Sequence, residues 1–143
     1  MNTAINIENI SKSFPGVLAN DSVSFDITSG TIHAIVGENG AGKSTLMKIL
    51  YGMQKPDNGI LKINGDIAKF QSPKDAISAG IGMVHQHFML ADNLTVWENI
   101  VLGIDSSNLS KIKKSKYLPD ITDLSKKYSL PIDVNLTIDD LGV

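Results

Sequence analysis

Residues Gly37-Glu38-Asn39-Gly40-Ala41-Gly42-Lys43-Ser44-Thr45 spell G-x-x-x-x-G-K-[ST], a complete phosphate cradle. Glycines at these spacings let the backbone wrap so closely that successive N–H groups face negative charge. Lys43 has the length to reach the outer phosphates, and the Ser44 hydroxyl is a magnesium ligand in such loops. The flanks agree with the motif. Thr31-Ile32-His33-Ala34-Ile35-Val36 is a nearly continuous apolar run, as expected of a strand buried on both faces. Thr45-Leu46-Met47-Lys48-Ile49-Leu50 has helical composition, and its N-terminus would add a favourable dipole to an anion site. Strand, glycine loop and helix in that order predict a nucleoside triphosphate ligand.

With 143 residues, 42% of them hydrophobic and 20% charged, the chain has a globular composition able to bury a core. The formal net charge of −2 gives no support to sequence-independent nucleic-acid binding, so no nucleic-acid partner is expected. No apolar run approaches the ~20 residues needed to span a bilayer. Zero Cys removes disulfides and thiolate chemistry. All 13 basic residues are Lys, so no arginine finger comes from this chain.

Ile5 to Ile10 and Val23 to Ile27 alternate apolar with polar residues around a Phe14-Pro15-Gly16 turn, predicting an antiparallel pair. Ile60 to Ile63 and Ile67 to Phe70 face each other across Asn64-Gly65, a hairpin turn. Ser72 with Pro73 starts a short helix. Ile81 to His85 is a further strand, ending at Gln86. Thr95 and Glu98 form a capping box for a helix from about Val96 to Leu102. Leu118, Ile121, Leu124 and Tyr128 keep helical spacing, with Pro119 acceptable only near that helix's start. Lys111, Lys113, Lys114 and Lys116 read as a solvated linker rather than an anionic-lipid patch. His33 reads as a core histidine. His85 and His87 could share one strand face, but no third ligand accompanies them and no metal site is read there.

Three further stretches carry a likeness: Lys12 to Asp21 around Phe14, Gly82-Met83-Val84-His85-Gln86-His87-Phe88-Met89-Leu90, and Asn93-Leu94-Thr95-Val96-Trp97-Glu98-Asn99-Ile100. Together with the loop, the whole chain resembles the nucleotide-binding subunits of ABC transporters, most closely those serving simple-sugar and nucleoside importers. That resemblance implies an α/β fold: a P-loop NTPase core with an antiparallel β lead-in over residues 1–90, then the start of a helical subdomain over 91–143. It implies ATP and Mg²⁺ as cofactors. Phe14 would stack on adenine and Val17 would touch the base edge. Gly37, Asn39, Gly40, Ala41, Gly42, Lys43, Ser44 and Thr45 would hold the phosphates. Ser44 and Gln86 would ligate Mg²⁺, while Lys43 and Gln86 would serve hydrolysis. Partners implied are membrane permease subunits docking near Gln86 and a second nucleotide-binding subunit or half, placed head to tail, at the cytoplasmic membrane face.

The family's second half is not read in this sequence. No apolar strand ends in Asp-Glu, and Leu141-Gly142-Val143 resembles only the opening of the family's signature motif. The expectation is therefore a fold truncated before its second half, binding nucleotide without turnover. Its P-loop strand would have unpaired edges and invite aggregation. Competing readings are a small P-loop kinase or GTPase, disfavoured by the missing Arg and the missing N-K-x-D, a non-catalytic nucleotide-binding piece, and a soluble ABC protein of repair or translation.

Overall fold

A computed structural model describes residues 2–86, 89–102 and 112–141. The chain divides into two compact units, Met1–Val84 and His85–Val143.

The first unit is built on a long hairpin. Strands β1 (Thr3–Phe14) and β2 (Val17–Thr28) pair antiparallel to the last residue, Phe14 against Val17, so the reversal is the two residues Pro15 and Gly16. β3 (Asn58–Ile63) joins the other edge of β1, and β4 (Asp66–Ala68) joins β3, giving the order β2-β1-β3-β4. Asn64 and Gly65 both have positive φ, 51° and 92°, the backbone that a two-residue hairpin turn demands. Helix α1 (Lys43–Leu50) lays Leu46, Ile49 and Leu50 against Ile7, Ile10 and Leu61 of the sheet, and these six residues form the buried core. Ion pairs Lys62–Glu8 and Lys12–Asp57, each 2.6 Å, tie neighbouring segments at the surface. Helix α2 (Pro73–Ser78) follows, capped by Ser72 and Asp75.

Two sequence expectations fail here. Residues 31–36 are expected as a strand buried on both faces and 81–85 as a further strand, yet neither joins a ladder among the described residues. Ile32 is 101% exposed, Val36 92% and Val84 87%. A strand apolar on both faces is buried only when other strands flank it, and no described strand pairs with either run. His33 is corrected with them: instead of lying in a core it is exposed and stacks on Phe25, ring centroids 5.3 Å apart and 12° from parallel.

In the second unit, helix α3 (Val96–Val101) begins at the expected capping box. Glu98 accepts from the Thr95 amide at 2.8 Å and the Thr95 hydroxyl at 2.6 Å. Helix α4 (Lys114–Lys127) starts earlier than its apolar spacing indicates, so Pro119 lies inside it rather than at its first turn. The lysines read as a linker are corrected accordingly. Lys114 and Lys116 belong to α4, and Lys114 is held by Asn135 and by the face of Trp97, 5.7 Å from the ring centre. Lys113 is the helix's N-cap, and Lys111 lies outside the described residues. The segment after α4 returns along the start of α3. Leu136 and Val134 carbonyls accept from the Val96 and Trp97 amides.

The Thr95 hydroxyl, then the Thr95 amide, holds the Glu98 carboxyl below its usual range. A pKa lowered by folding gives stability that is complete above the unfolded value and is lost as pH falls through the folded one. Melting temperature is therefore expected to drop below about pH 4, and Thr95→Ala to cost about 1 kcal/mol at neutral pH. Acid melting profiles identical for wild type and Glu98→Gln would refute this.

Candidate functional site

The loop over Gly37–Gly42 leaves the extended run and ends on the first residue of α1, so the helix's unpaired N–H groups open onto the loop. Gly40 and Gly42 sit at φ +88° and +83°, a left-handed backbone that L side chains rarely adopt. The Ala41 amide donates to the Glu38 carbonyl at 3.2 Å. The Lys43 ammonium donates to the Gly37 and Glu38 carbonyls, both at 2.7 Å. The loop is thus drawn into a ring with its cation at the rim. Ser44 and Ala41 are exposed, and Thr45 is half-buried one turn into the helix.

β2 fits tightly behind this ring. A Cβ on Gly42 would lie 1.9 Å from the Ala19 carbonyl oxygen and 2.9 Å from the Asn20 amide nitrogen. Asn20 itself is buried, 6% exposed, and its Nδ2 donates to the Gly42 carbonyl at 3.3 Å. The same hairpin carries Phe14 and Val17 at its tip, both exposed, Phe14 at 38%. An aromatic ring with that much open surface is not a core filler. The tip is braced from below. Asp57 accepts from the Lys12 ammonium at 2.6 Å and the Ser13 amide at 2.7 Å. The Lys12 ammonium, then the Ser13 amide, holds the Asp57 carboxyl below its usual range. Lys12 also lies 5.7 Å from the centre of the Phe14 ring.

The first unit therefore contains Phe14, Val17 and every expected loop residue from Gly37 to Thr45, with the loop meeting the hairpin at Ala19 and Asn20. Gln86 is exposed and belongs to the second unit. His87 lies outside the described residues. The contact of Asn20 with Gly42 was missed in the sequence; the only hint was an Asn where a buried strand residue stands.

The family model described as ABC transporter matches residues 20–137. This chain belongs to the ABC transporter family. It is 43% identical over 143 residues to the guanosine import ATP-binding protein NupO of Bacillus subtilis, covering 100% of this chain and 28% of that protein. It is 42% identical over 144 residues to the ribose import ATP-binding protein RbsA of Hahella chejuensis, covering 100% of this chain and 29% of that protein. Among solved structures, the ADP conformation of MJ1267, an ATP-binding cassette of an ABC transporter, matches with a TM-score of 0.82 at 25% identity, covering 97% of this chain and 59% of that one. A nucleotide-free ATP-binding cassette from an ABC transporter shares the fold with a TM-score of 0.78 at 24% identity, covering 96% of this chain and 58% of that one.

The chain thus spans under a third of the curated ABC relatives and a little over half of one ABC cassette. Those relatives are accordingly about twice the length of a single cassette. The α/β class with an antiparallel sheet and a phosphate loop is that of the ABC cassettes.

Proposed function

We propose that this chain is the leading part of an ABC ATPase that binds MgATP and powers import of a sugar or nucleoside. One observation carries the reading: a phosphate loop closed by Lys43 at a helix N-terminus, packed against the hairpin that presents Phe14. Amides from Asn39 to Thr45, with Gly37 and Gly42 shaping the turn, hold the α- and β-phosphates. Lys43 exchanges the Gly37 and Glu38 carbonyls for phosphate oxygens, a stronger charge-assisted pairing. The Phe14 ring stacks on adenine, and Val17 touches its edge.

Mg²⁺ prefers hard oxygen donors and keeps several waters. The Ser44 hydroxyl, exposed in the first turn of α1, suits it, and the family resemblance implies the Gln86 amide oxygen as a further ligand. Bound there, the ion would offset phosphate charge, while Gln86 orients the attacking water through its amide N–H. Gln86 also faces the membrane permease subunits, at the cytoplasmic side, with the functional divide near residue 90. The second nucleotide-binding half, head to tail with this one, comes from the further length that the relatives carry. The acid that positions water belongs outside this sequence, so the 143 residues alone bind without turnover.

The substrate class rests on relatives named for guanosine, nucleoside and ribose import. Phe14→Ala is expected to weaken ATP binding to the full-length protein about ten-fold and leave inorganic tripolyphosphate binding unchanged, read by calorimetry. Equal losses for both ligands would remove Phe14 from the base site. The full-length protein is expected to co-purify with an integral membrane partner and hydrolyse MgATP. Lys43-dependent phosphate release from the 143-residue chain alone would overturn the division of labour.

A further inference from the structure

We infer that Asn20 is a positioning residue that aims the Lys43 amide into the phosphate site. The inference rests on the nucleotide reading above. Asn20 is the one buried polar residue among the described residues, and packing does not explain it. Its Oδ1 is buried with no donor, a cost that an apolar residue of similar size would avoid. What the amide does make is a single bond, Nδ2 to the Gly42 carbonyl at 3.3 Å. The opposite amide orientation would set oxygen against oxygen, so only Nδ2 can face Gly42.

The Gly42 carbonyl also accepts the Leu46 amide at 3.0 Å, the first bond of α1. It is therefore held from two sides, by the helix and by β2. In a planar trans peptide, the carbonyl and the following N–H point in opposite directions. Clamping the Gly42 carbonyl towards β2 and α1 therefore turns the Lys43 N–H away from them, to the side where the loop's glycines leave space. Gly42 lacks the Cβ that restricts backbone rotation and sits at φ +83°, so without Asn20 its carbonyl is held by the first hydrogen bond of α1 alone. Asn20 also lies on the hairpin that carries Phe14, six residues along the chain. The base-stacking ring and the phosphate amides thus share one rigid support.

The test compares wild type, Asn20→Leu and Asn20→Asp in the full-length protein, titrated with MgATP and with inorganic tripolyphosphate, alongside melting curves. Asn20→Leu keeps the buried volume and removes the donor. It is expected to bind both ligands about five-fold more weakly, with a cooperative melt no lower than that of wild type. Asn20→Asp sets a carboxylate against the Gly42 carbonyl beside incoming phosphates and is expected to lose more with both ligands. If Asn20→Leu does not fold, the Asp variant carries the same comparison. Unchanged tripolyphosphate affinity in the variants, or a loss confined to ATP, overturns the inference, the latter because Asn20 would then act through Phe14. Absence of binding by wild type would instead overturn the nucleotide reading itself.

Discussion

Lys43→Ala is expected to weaken MgATP binding on the order of a hundred-fold, about 3 kcal/mol, in calorimetric titration of the full-length protein. The Lys43 ammonium is the loop's cation, and it is held at its rim by two carbonyls, each 2.7 Å away. Those two bonds are between exposed groups and exchange readily for phosphate oxygens or water. Fold stability should therefore change little, since Leu46, Ile49 and Leu50 anchor α1 without it. An alanine variant that binds as wild type does would mean the loop holds no triphosphate. A variant that fails to fold would mean that Lys43 is structural.

Gly42→Ala is expected to be the most damaging small substitution in the chain. Its methyl group would lie 1.9 Å from the Ala19 carbonyl oxygen, far inside contact distance, on a backbone at φ +83°. Either the loop leaves β2 or β2 leaves the sheet, and each route loosens the packing of α1. A loss of about 3 kcal/mol of stability or more, with ATP binding abolished, is the expected result in denaturant titration. Gly40→Ala is the matched control. Gly40 has a similar φ of +88° but nothing within 4 Å of its would-be Cβ, so it should cost only about 1 kcal/mol. Equal costs at the two positions would show that backbone strain, not the approach of β2, governs the loop.

Local chemistry explains what could be read in advance. Asn64-Gly65 adopts the positive φ pair that its turn requires, and Thr95 with Glu98 makes both bonds of its box. Pro15-Gly16 closes the β1–β2 hairpin at Phe14, and the loop motif ends on α1. These features depend on residues within a few positions of one another. The failures are non-local. Residues 31–36 have the composition of a buried strand and 81–85 that of a strand, but a segment becomes one only when neighbours accept its bonds. The pairing of β3 with β1, from Ile5 with Ile63 to Ser11 with Asn58, joins segments far apart in the chain and left no signal in either segment alone. Lys114 looks like a linker residue by composition, whereas Trp97 and Asn135, distant in sequence, hold it on α4.

The candidate site divides the same way. The loop residues and Phe14 come from motif and likeness, and the left-handed backbone at Gly40 and Gly42 shows why glycine stands at those two positions. The contact between Asn20 and Gly42 was not legible, because it exists only when β2 lies behind the loop.

The most direct test is titration of the full-length protein with ATP, with and without magnesium. Saturable binding that strengthens when Mg²⁺ is present and is competed by inorganic tripolyphosphate is the predicted result. No heat of binding at millimolar ATP, or affinity indifferent to both magnesium and tripolyphosphate, would contradict the account.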